Sequence, residues 1–226
     1  MRKLVAIGSL LLLACGCAHY KTPGGGVSIP SITEPTIAEA LKREPAAQFP
    51  AHVIVARVQA AGYQSSSARG FGNGRYSVLT TRDIETEDDF TQLAALPGIA
   101  AVGTINRILL PVDLHSVQDL REAAAHLRGD IILLYTVDTR FQTESPLRIV
   151  TTCAAAFVDV RTGYVYGAAE GNATETRRSS LWMSQAAIDA ARLKAERDAF
   201  SAALKEVAKT WTAINAEYGR TTASLR

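Results

Sequence analysis

The sequence predicts an α/β (α+β) domain: a mixed sheet of about five to six strands, flanked by helices and followed by a long C-terminal helix. Strand-like apolar runs alternate with helical periodicity between residues 51 and 130. Three strand-like runs then follow one another through short links up to residue 171, which predicts a C-terminal antiparallel meander. After residue 183, apolar residues recur at helical steps as far as residue 218.

The first seventeen residues have the features of a secretion signal. Arg2 and Lys3 precede the apolar run from Leu4 to Leu13, which is too short to span a bilayer as a helix. Small residues and two cysteines follow this run. The arrangement resembles the lipobox of bacterial lipoproteins, in which a cysteine is acylated and becomes the mature N-terminus.

Two cysteines are candidates for this lipidation. Cys15 has leucine at the third position before it, whereas Cys17 has glycine directly before it, and the resemblance favours both features. We favour Cys15 and keep Cys17 as the alternative. Neither cysteine is followed by aspartate. In Gram-negative lipoproteins this implies sorting to the outer membrane, with the domain facing the periplasm.

The remaining chain divides into three predicted parts. Residues 18–50 are rich in Gly and Pro and are predicted to form a tether with a short helix. Residues 51–182 form the predicted α/β domain, and residues 183–226 the long amphipathic helix and tail. No later stretch has about 20 consecutive apolar residues, so we expect membrane attachment through the covalent lipid alone.

The charge of the chain argues against nucleic acid as a partner. The formal charge is +2, and subtracting the two cations of the signal, Arg2 and Lys3, leaves zero for the mature chain. Nucleic-acid binding depends on a surplus of basic residues, which the mature chain lacks.

The elements of the first half are predicted from apolar runs and their boundaries. Phe90, Leu93 and Leu96 recur at helical spacing before Pro97, which predicts a helix over residues 83–96. Apolar runs bounded by turn residues predict strands at 52–59, 76–81 and 99–105.

The second half has clearer capping and turn signals. Ser116, with Asp119 three residues later, predicts the start of a helix that ends at Gly129. Asp130 opens a strand, residues 147–160 form the next one, and Gly163 suits the tight turn into the third.

The C-terminal helix is predicted over residues 184–218 and carries one narrow apolar stripe. At 1.5 Å per residue it would be roughly 50 Å long, which is more than a compact sheet requires. The stripe therefore either covers the sheet of its own domain or binds a partner helix or a second copy. The candidate interaction residues are Phe200, Leu204, Val207, Trp211 and Ile214.

The sequence predicts no catalytic, cofactor-binding or metal-binding residues. The chain has four histidines, and the two nearest each other along one helix, His115 and His126, are separated by about 16 Å along its axis. The glycines at 70–74 are not followed by the Lys and Ser or Thr of a phosphate-binding loop. Cys153 lies in a strand-like run and is interpreted as a small buried thiol.

Three aspartates support one enzymatic alternative. Asp130, Asp138 and Asp159 lie on or beside predicted strands and could be neighbours in the sheet. An envelope hydrolase of the glycosidase type needs two carboxyl groups in one cleft, about 5 to 10 Å apart. This hypothesis requires the aspartates to line a single cleft.

A recurring order of motifs covers residues 120–167. The helix LREAAAHL is followed by the strand opening DIIL and later by VDVRTGYV, with the pattern D-x-x-T-G. It resembles the α/β domain of envelope proteins such as the curli secretion lipoprotein and the TolB amino-terminal domain. The resemblance implies a mixed sheet with flanking helices, working in the periplasm as an assembly or interaction module. It implies no catalytic residues, and strand 147–160 lacks the polar and apolar alternation of a membrane pore.

These observations together predict a lipid-anchored protein of the cell envelope. We expect a non-catalytic accessory, scaffold or interaction module in the periplasm, with an envelope protein as its unidentified partner. The alternatives are the envelope hydrolase and an oligomeric secretion or assembly component. The last of these predicts a homo-oligomer.

Overall fold

The computed structural model describes residues 25–33, 36–142, 146–178 and 184–223. The strands are β1 (Ala51–Ala60), β2 (Asn73–Gly74), β3 (Tyr76–Leu79), β4 (Ile99–Thr104), β5 (Asp113–Leu114), β6 (Ile131–Gln142), β7 (Leu147–Asp159) and β8 (Val165–Arg177). The helices are α1 (Ile29–Ile32), α2 (Ile37–Ala40), α3 (Glu87–Ala94), α4 (Val117–His126) and α5 (Gln185–Ala223).

The sheet confirms the predicted fold class. Six strands form one mixed sheet in the order β3–β1–β6–β7–β8, with β4 also paired to β1. One edge of β1 pairs in parallel with β6, while β4 and β3 share its other edge. Strands β6, β7 and β8 form the predicted antiparallel meander. Strands β1 and β6 therefore lie inside the sheet, with a strand on each side.

The sheet has a hydrophobic core on each face. Val53 and Val55 of β1 face the side covered by α3 and α5. Ile54 and Ala56 face the side covered by α4, because successive side chains of a strand point in opposite directions. The predicted capping box of α4 is present, with Ser116 accepting from the backbone and Asp119 accepting in return.

Helix α5 lies directly on strand β8. The first half of the buried side of α5 includes four alanines spaced four residues apart. Beneath them, Gly171 of β8 leaves so little room that a Cβ atom there would lie 2.5 Å from the carbonyl oxygen of Ala199. Small residues on both elements thus allow the helix backbone to approach the strand closely. The alanines are Ala191, Ala195, Ala199 and Ala203.

Residues 25–33 and 36–50 cross the α4 side of the sheet from one end to the other, and we call them the N-terminal strap. At one end the amide of Val27 donates to the hydroxyl of Thr136 at 3.0 Å. At the other end the amide of Ala46 donates to Asp159 at 2.7 Å. The Ile32 side chain between them is buried. This part of the predicted tether is therefore packed into the domain, whereas residues 18–24 lie outside the described residues.

Replacing Gly171 by valine should destabilise the protein by about 3 kcal/mol, because the new side chain would collide with the backbone of α5. Thermal unfolding followed by circular dichroism measures the effect. The matched control is Thr174→Val, which adds its methyl group on the exposed, opposite face of the same strand. Equal melting temperatures for the two variants would contradict the close packing of α5 on β8.

Candidate functional site

Asp159 is a structural carboxylate. It is completely buried, and both of its oxygens are engaged. One oxygen accepts from the amides of Arg161 and Thr162 in the turn after β7. The other accepts from the amide of Ala46 and the hydroxyl of Tyr166, both at 2.7 Å. Asp159 therefore ties the turn, strand β8 and the N-terminal strap together.

The other two aspartates lie far from each other. Asp130 accepts from the amide of His52 at 3.0 Å at the start of β6. Asp138 is eight residues further along this strand, which corresponds to roughly 26 Å. There it pairs with Arg140 at 2.9 Å. The three aspartates do not line one cleft, so the structure does not support the hydrolase hypothesis.

A buried ionic cluster lies where β1, the segment after β3, and α5 meet. Arg57 of β1 contacts Asp83 at 2.5 Å and Glu85 at 3.5 Å. Its other terminal nitrogen lies 3.7 Å from Glu196 of α5. Glu196 in turn pairs with Arg192 at 2.7 Å. The side chains of all five residues are at most 6% exposed. Three carboxylates therefore surround two guanidinium groups inside the protein.

Neighbouring charges determine the protonation states of this cluster. Burial alone would lower the pKa of Arg57, but the coulombic effects of Tyr135, Glu85 and Asp83 outweigh it and raise that pKa. The Tyr135 hydroxyl donates to Glu85, and burial keeps the pKa of Tyr135 well above its ordinary value. Both groups thus stay in their ordinary forms, Arg57 charged and Tyr135 neutral.

The space beside the ionic cluster is too small for a substrate. The adjoining cavity, which Arg57, Glu85 and Tyr135 help to line, measures about 40 Å³. A water molecule occupies about 30 Å³ in the liquid. Perturbed pKa values often mark active sites, but structural ion-pair networks perturb them as well. We therefore interpret the cluster as a structural connection between α5 and the sheet.

This cluster was not predicted from the sequence, although two features of the sequence indicate parts of it. Arg57 lies in a mostly apolar strand, between Ala56 and Val58, which indicates a buried charge with a partner. Arg192 and Glu196 are four residues apart on the predicted helix, the spacing of a helical ion pair. Neither signal identifies the other half of the cluster, because the contacts join distant parts of the chain.

Cys153 is a free, fully buried thiol, as predicted. Burial raises its pKa to about 12, because the surrounding apolar side chains disfavour the thiolate. Since the thiolate is the reactive form, Cys153 is not a nucleophile.

The apolar stripe of α5 packs against the chain's own sheet. Trp211 is fully buried, its ring contacts Phe49 and Phe157, and its indole nitrogen donates to the carbonyl of Pro97 at 2.8 Å. Leu204 is partly exposed and lines a groove of about 390 Å³ between α3 and α5. Of the five candidate interaction residues, four are buried in the domain core: Phe200, Val207, Trp211 and Ile214.

The opposite face of the sheet carries an open groove of about 530 Å³. Val27 and Ile29 of the strap form one wall, and Ala154 and Ala156 of β7 belong to the floor. The groove continues to Ala168 of β8 on its far side. The floor is low because its side chains are single methyl groups. This groove is larger than the groove between α3 and α5.

The groove ends at an open strand edge. Strand β8 is the last strand of the sheet, and its 13 residues pair only with β7 among the residues described. One row of its backbone donors and acceptors therefore points outward. The strand contains neither proline nor lysine, two residues that proteins use to protect such edges.

Neither a metal-binding group nor a membrane-spanning helix is found in the described ranges. No group of three or more His, Cys, Asp or Glu side chains is placed to hold a metal ion there. No helix within the same ranges has both the length and the apolar character needed to cross a bilayer.

Comparisons with known proteins identify no family for this chain. No family model matches, and neither does any curated protein. Two structures of the PelC dodecamer from Paraburkholderia phytofirmans align with this chain. The first has a TM-score of 0.32 and 14% identity, over 70% of this chain and 92% of PelC. The second has a TM-score of 0.35 and 13% identity, over 72% of this chain and 92% of PelC. A Xanthomonas campestris protein of the family DUF330 aligns with a TM-score of 0.36 and 13% identity, over 84% of this chain and 97% of that protein. Similarities at this level assign no function, and the resemblance to the curli secretion lipoprotein and TolB stays a prediction.

The raised pKa of Cys153 makes the stability of the protein sensitive to alkaline pH. The unfolded thiol loses its proton near pH 9, while the folded thiol keeps it to about pH 12. The stabilisation is fully present below pH 9 and is lost as the pH rises through this window, at about 1.4 kcal/mol per pH unit. Chemical denaturation at a series of pH values measures the effect. Above pH 9, the free energy of unfolding of the wild type should fall by about 1.4 kcal/mol more per pH unit than that of Cys153→Ala. Parallel slopes would contradict the assignment.

Proposed function

We propose that this chain is a lipid-anchored, non-catalytic interaction module of the cell envelope that holds an extended segment of a partner protein along β8. The observation that carries the proposal is the open edge of β8, which is continuous with the alanine-floored groove. An added strand would pair with the outward row of backbone groups. Its side chains would then lie over the groove.

The chemistry of the groove favours a segment with small or apolar side chains. Ala154 and Ala156 leave depth above the sheet, and Val165 of β8 is 45% exposed at one end. Glu170 is exposed on the same face and adds one negative charge to the lining. We therefore expect the partner segment to be extended, mostly uncharged, and to place a donor or a cation opposite Glu170.

Helix α5 makes a second copy a poor occupant of this edge. Paired strands lie about 4.8 Å apart, whereas packed helices need 8 to 10 Å between their axes. Since α5 lies directly on β8, two copies joined edge to edge would force their two α5 helices together. A partner strand without a covering helix meets no such obstacle. A homo-oligomer stays a prediction and would need another surface.

The proposed anchor comes from the N-terminal sequence. Cys15, or alternatively Cys17, would carry the lipid, and both lie outside the described residues. Position 25 follows Cys17 by eight residues, a span of at most about 29 Å when extended. We propose that the anchor lies in the outer membrane and that the domain faces the periplasm.

Radiolabelled palmitate should be incorporated into the full chain when it is produced in a Gram-negative host. Cys15→Ala should abolish the labelling, and Cys17→Ala should leave it intact if Cys15 is the acylated residue. Loss of label in Cys17→Ala alone would transfer the assignment to Cys17. Labelling that survives in the double variant would refute the lipid anchor.

A photo-crosslinking residue at Asn172, which is exposed on the groove side of β8, should form an adduct with an envelope protein in intact cells. Ala168→Arg should reduce the adduct at least severalfold, because the long side chain fills the groove. The same crosslinker at Lys209, exposed on α5, is the control position.

Mass spectrometry of the adduct distinguishes the hypotheses. A peptide of another protein, crosslinked in an extended segment, supports the proposal. An adduct between two copies of this chain supports the oligomeric alternative instead. Equal adducts from the crosslinkers at Asn172 and Lys209, or an adduct that Ala168→Arg does not reduce, would refute the proposed binding site.

A further inference from the structure

We infer that the end of the sheet at which the N-terminal strap begins faces the membrane and that its arginines contact anionic phospholipid headgroups. This inference rests on the proposed lipid anchor and adds the orientation of the domain. It combines two independent observations. One is the point at which the chain enters the domain, and the other is the group of exposed arginines at that end.

The chain enters at the end of the sheet where β1 and β6 finish. The carbonyl oxygen of Gly25 accepts from the amide of Ala60, the last residue of β1, at 3.1 Å. The amide of Gly26 donates to Asp138 of β6 at 3.3 Å. We call this the entry end. A tether from a lipidated cysteine therefore leads directly to it.

The β6–β7 hairpin projects beyond the entry point. Strand β6 continues from Asp138 to Gln142, which adds roughly 13 Å in the direction away from the body of the domain. Strand β7 begins there and β8 ends there, so three strands share this end. When the tether draws the entry end to a bilayer, these strand ends meet the surface first.

Four exposed arginines lie on these strand ends, and two of them are already paired. Arg140 pairs with Asp138 at 2.9 Å, and Arg177 pairs with Glu175 at 3.1 Å. No ion pair joins the other two arginines to a carboxylate in the described part of the chain. They are Arg148 and Arg178, both exposed.

The register gathers these charges on one side. Arg140 is opposite Val150, two residues from Arg148, so Arg140 and Arg148 lie on the same face. Arg148 is opposite Thr176, two residues before Arg178. The positive charges thus lie close together at one edge of the open face, which suits an extended anionic surface better than a single small ligand.

At the opposite end of the sheet, two arginines serve the fold. Arg43 donates to the carbonyl oxygen of Gly163 at 2.9 Å, and Arg121 donates to that of Val160 at 2.9 Å. Glu44 and Glu122 are exposed at the same end and offset its charge. Lys42, Arg128 and Arg161 are also exposed at this end, so the proposed orientation depends on where the tether enters the domain and not on a difference in charge between the two ends.

Each arginine near an anionic bilayer should increase the membrane-contacting population about fivefold. The attraction is weak for a free protein, but the anchor holds the arginines within one tether length of the surface. Salt should weaken the contact, because the arginines are exposed and screened.

The test uses the lipidated full chain, reconstituted into vesicles and carrying a photo-crosslinker at Thr176 of the entry end. Tritiated phosphatidylglycerol in phosphatidylcholine vesicles is the probe, and vesicles with tritiated phosphatidylcholine alone are the neutral reference. The same crosslinker at the exposed His126, at the opposite end, controls for random collisions. We expect a lipid adduct at Thr176 on the anionic vesicles and at least fivefold less in the other two cases.

Charge reversal provides the second arm. Arg148→Glu combined with Arg178→Glu should reduce the Thr176 adduct by at least about 25-fold, because losing two positive charges costs two fivefold effects and the added carboxylates are repelled as well. Lys42→Glu combined with Arg161→Glu, two exposed cations of the opposite end, should leave it unchanged. Circular dichroism checks that each variant is folded.

Vesicle flotation separates the two proposals. Protein that floats with the vesicles but gives no Thr176 adduct, or equal adducts at Thr176 and His126, overturns the orientation while the anchor stands. An adduct that is equal on neutral vesicles overturns the role of the arginines. Protein that does not float overturns the anchor itself, and the orientation with it.

Discussion

The close contact between α5 and β8 is the constraint on which the rest of the structure depends. Alanines on the helix and Gly171 on the strand bring the two backbones together, so that Trp211 and its neighbours can fill the core on this side. The same contact brings Arg192 and Glu196 to Arg57, so the half of the ionic cluster that α5 supplies depends on the position of this helix. The contact between α5 and β8 also covers one face of the meander with the protein's own helix. The groove lies on the other face.

The fold could be predicted from the sequence because its signals are local. Apolar runs, the Ser116 cap and the Gly163 turn each act over a few residues, and the structure confirms the helix and the meander that they predict. The buried side of α5 was only partly predicted. Its large residues formed a visible stripe, whereas the alanines did not, because alanine favours helices at any position. The four-residue spacing of the alanines indicates close packing only when the glycine of β8 is known to lie beneath them. That contact joins distant parts of the chain and cannot be seen in the sequence.

The candidate site was harder to predict for the same reason. The groove consists mostly of small side chains from the strap and three strands, and no single segment of the sequence marks it. The strap itself is rich in Gly and Pro, a composition typical of a tether, yet hydrogen bonds to Thr136 and Asp159 hold it on the sheet. The composition of a segment predicts how flexible that segment would be in isolation. It carries no information about hydrogen-bond acceptors that lie more than a hundred residues away in the sequence.

The course of the strap also determines how a mechanical load would pass through the domain. A pull on the chain ahead of Gly25 would reach the fold at Gly25 and Gly26, where two hydrogen bonds connect the strap to β1 and β6. Tension at this point peels the strap from its end, one bond after another, rather than shearing all of its contacts together. Val27 and Ile29 detach first in such a process, and they form a wall of the groove. The shape of the groove would thereby respond to a force on the N-terminal segment.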